Sequence, residues 1–312
     1  MKGLELARKF YEEHGQEMIA TRFADVADRI CVGLVGEGSE CLGYDDEIST
    51  DHDFEPAFCL FIAKEDEIKF GFELERAYSK LPKQFMGYER QKLSAAGGKR
   101  HGVIVIDDFY KKFLGAANAP DTIERWLYTP SQSLLNASNG EVFRDDLGLF
   151  SAIRNEIKKG YPRDIRLKKI AAHTIFMAQA GLYNYPRLIK RGETGAAQLA
   201  IFEFVKNAIS VIYLLNNSYE PFYKWAYRGM RELEILGNLC SPLAALTELG
   251  NSDDEAAAKA ETIEEIAQLL INEYRKMGLT DSPSSELEAH AYAIIKGIKN
   301  AELRNMHIMQ GI

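Results

Sequence analysis

An apolar run at residues 30–35 exits directly into Gly36-Glu37-Gly38-Ser39, and after eleven intervening residues the triplet Asp51-His52-Asp53 heads a second apolar run. This pairing constrains the chain more than any other feature. Short apolar runs bounded by glycine read as buried strands. Glycine at a strand exit takes backbone conformations closed to other residues and lets the main chain approach a ligand closely. Ser39 is suited to start a short helix whose amides face an anion. Residues 51–63 first alternate and then turn continuously apolar, as a central strand does, which is expected to set Asp51 and Asp53 on one face and His52 on the other. Two carboxylates on one face can share divalent ions, and magnesium favours such oxygen ligands together with substrate phosphates.

The bulk composition narrows the partners. With 312 residues, 46% of them hydrophobic, the chain has material for two packed domains. A formal net charge of -8 argues against a broad phosphate-tracking surface, so no nucleic-acid partner is expected. A small anionic substrate stays compatible, because a metal can carry the local positive charge. Cys31, Cys41, Cys59 and Cys240 show no CxxC spacing, which supports neither a disulfide framework nor a zinc site. The charged amino-terminal residues lack the apolar core of a secretory signal, and a cytoplasmic location is expected. The most apolar stretch, 196–215, is interrupted by Glu203, Lys206 and Asn207, so it reads as a buried central helix and no membrane partner is expected.

Along the chain, 4–29 carries helical periodicity and 73–81 reads as a helix. Residues 82–100 read as a loop, and 101–106 as a third strand ending at Asp107-Asp108. This makes a small α/β domain through about residue 110. Beyond it the strand signals disappear and helical patterns occupy 145–159, 165–189, 196–215, 222–239, 254–277 and 286–299. The expected division is an α/β domain with amino-terminal helices over 1–125 and an all-helical domain over 126–312, which makes the whole chain α+β.

The stretch GEGSECLGYDDEISTDHDFEP resembles the nucleotidyltransferase superfamily of polymerase-β-like fold, whose pattern is a hydrophobic-Gly-Ser turn followed at such a distance by Asp-x-Asp. It is similar to the small-molecule, aminoglycoside-type adenylyltransferases, and its TDHDF core to an uncharacterised bacterial branch. His52 stands where the superfamily usually has an apolar residue. The resemblance implies a small mixed-sheet nucleotidyltransferase domain followed by a helical bundle. It implies magnesium, as two ions held by Asp51 and Asp53, and a nucleoside triphosphate whose phosphates meet Gly38 and Ser39. A third carboxylate from a neighbouring strand is also implied; Asp107 is the candidate, Asp108 the fallback, and the competing reading is that both cap a following helix.

The segment Tyr219-Glu220-Pro221-Phe222-Tyr223-Lys224-Trp225 is similar to a stretch in the helical domain of several small-molecule nucleotidyltransferases. Pro221 fits a first helical turn, after which Lys224, Arg228 and Arg231 share one face. Lys224 and Arg228 are the candidates for nucleotide binding, against the alternative of a solvated face. Lys99, Arg100 and His101 form a second basic cluster before the third strand. The expected activity is magnesium-dependent transfer of a nucleoside monophosphate, AMP from ATP, to a small-molecule acceptor chosen by the helical domain. Two rivals are a nucleotide-binding regulatory module that performs no transfer, and a nucleotidyltransferase that modifies a protein.

Overall fold

A computed structural model of the chain describes residues 1–51, 54–90 and 100–312, with residues 50 and 51 described by their backbone alone. The class is α+β: a small mixed sheet within a largely helical chain, and a helical carboxy-terminal region. Two compact units form, one from Met1–Asp121 with Thr129–Lys159, the other from Thr122–Tyr128 with Gly160–Ile312. A single cut near residue 125 does not describe this division, because residues 129–159 return to the first unit.

The first unit is built on four strands, β1 (Cys31–Leu34), β2 (Cys59–Ile62), β5 (Gly102–Val105) and β6 (Glu141–Arg144), in the order β5-β2-β1-β6. A separate hairpin, β3 (Gln84–Phe85) with β4 (Tyr88–Glu89), lies within the stretch expected to be loop. Met86 and Gly87 both have positive φ there, as a tight two-residue hairpin turn requires. β1 runs antiparallel to β2 and β6, while β5 runs parallel to β2.

β2 is buried on both faces, which explains its continuous apolar run. Leu60 and Ile62 join Leu6, Phe10, Ile19, Val32 and Leu74 in one core. On the other face Phe61 stacks on Phe150 with centroids 4.1 Å apart and meets Phe109 edge-on at 5.1 Å. Each such side chain contributes about 1.5–3 kcal/mol by leaving water. Phe150, on the helix Leu149–Lys158, and β6, paired to β1, are what draw residues 129–159 into this unit.

β2 begins at Cys59, later than the expected strand over 51–63. Asp51 instead closes a 3₁₀ turn, Ile48–Asp51, which Asp46 stabilises by accepting from the Ser49 amide and hydroxyl, both at 3.0 Å. Pro56, which lacks an N–H, precedes the strand. Asp51 is therefore not on a strand.

The second unit is helical. Its central helix, Thr194–Leu215, is long and apolar enough to cross a membrane by length and composition, yet 67% of its most apolar window is buried inside the fold. It packs on the helix Arg163–Met177. Its buried polar groups are bonded: Asn207 Oδ1 lies 2.7 Å from His173 Nδ1, and Ser210 donates to Glu220 at 2.6 Å. Two adjacent lysines of Arg163–Met177 are also buried. Lys168 donates to the carbonyls of His307 at 2.6 Å and Ile308 at 3.2 Å, and Lys169 to those of Leu127 at 2.6 Å and Gly311 at 2.9 Å. The helix expected over 222–239 ends at Met230, as Tyr223–Met230. Asn216 accepts from the Ile235 N–H and donates to its C=O, both at 2.9 Å, and that clasp competes with further helical hydrogen bonds.

Candidate functional site: the glycine turn after β1

β1 delivers the chain into a turn in which Gly36 and Gly38 have φ of 125° and 126°. At Gly38, with ψ 147°, only glycine is at ease. Ser39 then opens the short helix Ser39–Leu42, as its sequence suggests. The turn is held from several sides. Asn139 accepts from the Gly36 N–H at 2.9 Å and donates to the Gly36 C=O at 2.7 Å. Arg154 in turn donates to the carbonyls of Asn139 and Gly140 at 3.0 and 2.8 Å, fixing the segment that carries the clasp. The amino-terminal helix Gly3–Phe10 presses its first glycine against Glu40, and the Gly3 N–H donates to Asp45 at 2.8 Å.

The ionic groups at the turn come in pairs. Glu40, only 9% exposed, accepts from Arg100 Nη2 at 2.6 Å, and the same nitrogen donates to the Glu37 carbonyl at 2.7 Å. Lys112 bonds the Glu37 carboxylate at 2.7 Å. His101 Nδ1 lies 3.0 Å from Glu55 Oε1. The Cys59 thiol donates to the Arg100 carbonyl at 3.2 Å, tying the start of β2 to the residue that reaches over the turn. Burial, with the Glu40 charge beside it, pushes the Cys41 thiol well above its ordinary value, so it stays protonated and is no nucleophile.

A cavity of about 130 Å³ opens beside the turn. Its apolar wall includes Val35, Ile104, Phe109 and Phe113, and its rim carries Glu37, Arg100, His101, Asp108 and Lys112. An apolar wall with a few polar groups at the rim is the usual form of a small-ligand site.

The other sequence candidates divide. Asp53, His52 and Lys99 lie outside the described residues, as does the side chain of Asp51. Asp107 does not join the turn. Gly33 pairs with Cys59 and Cys59 with Gly102, so the turn lies where β2 and β5 begin; Asp107 follows Val105, which pairs with Ile62 where both strands end. It stands in the first turn of the helix Ile106–Leu114, half-exposed and 4.0 Å from Lys111, where a carboxylate suits the helix dipole. Asp107 therefore stands away from the turn, while the Asp51 and Asp53 side chains it was expected to join lie outside the described residues. Asp108, one residue on, does line the cavity. Among the described residues no group of three His, Cys, Asp or Glu side chains could hold a metal ion.

Lys224 and Arg228 belong to the helix Tyr223–Met230 of the second unit. Lys224 is exposed, with its ammonium 5.3 Å from the Trp225 ring centroid, and Arg228 is half-buried. Arg231 caps that helix at its carboxy end. Sequence reasoning missed Glu40 and Asn139, although the Asn139-Gly140 pair is a turn signal.

Residues 126–226 match a family described as a domain of unknown function, DUF4037. The match takes in β6, the helix Leu149–Lys158 and the first helices of the second unit, and stops short of the glycine turn. No curated protein and no solved structure matches the chain.

Proposed function

We propose that the chain is a magnesium-dependent nucleotidyltransferase that moves a nucleoside monophosphate, AMP from ATP, onto a hydroxyl or phosphate of a small acceptor. The observation that carries the reading is the glycine turn at the exit of β1, clasped by Asn139 and set where β2 begins, with the Asp51–Asp53 pair only a few residues upstream of that strand. Gly38 and Ser39 receive the phosphate tail through main-chain amides and the serine hydroxyl. Asp51 and Asp53 hold magnesium, which when bound neutralises phosphate charge and favours attack at the α-phosphorus. The turn thus positions the triphosphate for displacement of pyrophosphate by the acceptor oxygen, and positioning with charge neutralisation is most of what phosphoryl transfer asks of a protein. The acceptor meets the cavity rimmed by His101, Asp108 and Lys112. The acidic charge balance favours a small acceptor over nucleic acid.

The test is incubation of the full chain with magnesium, each α-labelled nucleoside triphosphate and a small-molecule extract. Pyrophosphate release with label on a small molecule supports the reading. Nucleotide binding without pyrophosphate release favours the regulatory rival, and label on a protein band favours protein modification.

A further inference from the structure

Arg100 is the cation that reaches over the glycine turn, and the transfer reading above gives it no task. Its Nη2 satisfies the Glu37 carbonyl and the buried Glu40 carboxylate together, at 2.7 and 2.6 Å. It sits so close over Gly38 that a β-carbon there would come within 2.2 Å of it. The same residue lines the cavity, and Lys112 enters that cavity from another element to bond the Glu37 carboxylate. Two cations thus arrive at one turn from separate parts of the chain, and the turn's own glutamates hold both.

Resting on the nucleotidyltransferase reading, we propose that Arg100 is a ligand for the terminal phosphate of the nucleoside triphosphate, kept in place over the turn by Glu40 until that phosphate arrives. A guanidinium presents its donors in a rigid fork that fits phosphate oxygens, and charge-assisted bonds of this kind are the strong ones. The Glu40 carboxylate is nearly buried while the Arg100 side chain is 23% exposed, so water partly screens the pair and it gains little net stability. A terminal phosphate brings more negative charge and more acceptor oxygens than one carboxylate, so it outcompetes Glu40 for the fork. Glu40 then serves two ends: it holds the guanidinium aimed at the turn, and it repels anions too weak to displace it. A purely structural pair would tie the turn to the start of β5 without regard to the length of a bound phosphate tail.

The experiment is equilibrium dialysis of labelled ATP and labelled AMP against the full chain with magnesium, with inorganic tripolyphosphate as competitor, for the wild type and for R100Q, R100K and E40Q, each checked for folding by a thermal melt. Wild type is expected to bind ATP and lose it to tripolyphosphate. R100Q should bind ATP roughly ten- to a hundredfold more weakly while its AMP affinity stays within about twofold, with R100K between the two. E40Q should hold ATP at least as tightly as wild type. The inference is overturned if R100Q and R100K bind ATP like wild type, or lose ATP and AMP equally; should R100Q fail to fold, R100K decides. Wild-type protein that binds neither ATP nor tripolyphosphate would instead overturn the nucleotidyltransferase reading, and this inference with it.

Discussion

Asn139 holds Gly36 by both of its main-chain polar groups, accepting from its N–H at 2.9 Å and donating to its C=O at 2.7 Å. One amide side chain thereby fixes the two peptide units that meet at Gly36, and it comes from the loop before β6, far along the chain. Asn139→Ala strands two main-chain groups of a buried glycine, which should cost about 1–3 kcal/mol. Urea unfolding measures the loss. Asn139→Asp keeps an acceptor for the N–H but turns a carboxylate toward the Gly36 carbonyl, so it should be no more stable than the alanine variant.

At Gly38 the prediction rests on backbone and side chain together. With φ 126° and ψ 147°, Gly38→Ala imposes strain of about 1–3 kcal/mol. Its new methyl also meets Arg100 Nη2 at 2.2 Å and Glu40 Oε1 at 2.3 Å, which drives that pair apart. Gly43 supplies the control: its φ is 71° and a β-carbon there meets nothing within 4 Å, so Gly43→Ala should cost about 1–2 kcal/mol of strain and leave the pair intact. Equal affinity of the two variants for ATP would contradict the importance given to the Arg100–Glu40 arrangement.

How much of this was legible in the sequence depends on the range of the interaction concerned. The continuous apolar run of β2 announced burial on both faces, and Leu60 and Phe61 do face separate cores. Ser39 opens its helix because helix starts are a local matter of a few residues. β6 escaped notice because Glu-Val-Phe-Arg is short and half-exposed, with no stretch of apolar side chains to betray it. The distance of Asp107 from the turn has a different origin: periodicity locates a strand but not its direction beside a neighbour, and the parallel pairing of β2 with β5 is what carries Asp107 away from the turn. The Glu40–Arg100 pair and the Asn216 clasp on Ile235 join residues distant in the chain, and no local pattern encodes them.

Asp53→Asn tests the metal reading directly. The substitution preserves the side chain's size and removes the charge that would hold magnesium, so the fold should survive while transfer falls by roughly a hundredfold or more. Omitting magnesium from wild-type protein should have the same effect on turnover. A variant with near-normal transfer, measured as pyrophosphate release, would refute the metal assignment.

Lys169 gives a prediction in pH. Burial depresses its pKa from 10.5 to about 8, although two carbonyls accept from its ammonium. Between those two values the unfolded chain holds a proton on this lysine that the folded chain has shed. The unfolded state binding more protons means that unfolding free energy rises with pH across that window, so the destabilisation from burying the charged form is fully present below about 8 and relieved as pH approaches 10.5. Lys168, also depressed to about 8, adds in the same direction. Other groups titrate in this range as well, so the informative quantity is the difference between wild type and Lys169→Met. Methionine is uncharged at every pH, and the variant should show a smaller rise in unfolding free energy from pH 8 to 10.5 when urea titrations are compared at each pH. Identical slopes for the two proteins would mean that Lys169 keeps an ordinary pKa in the fold, with its carbonyl partners cancelling the cost of burial.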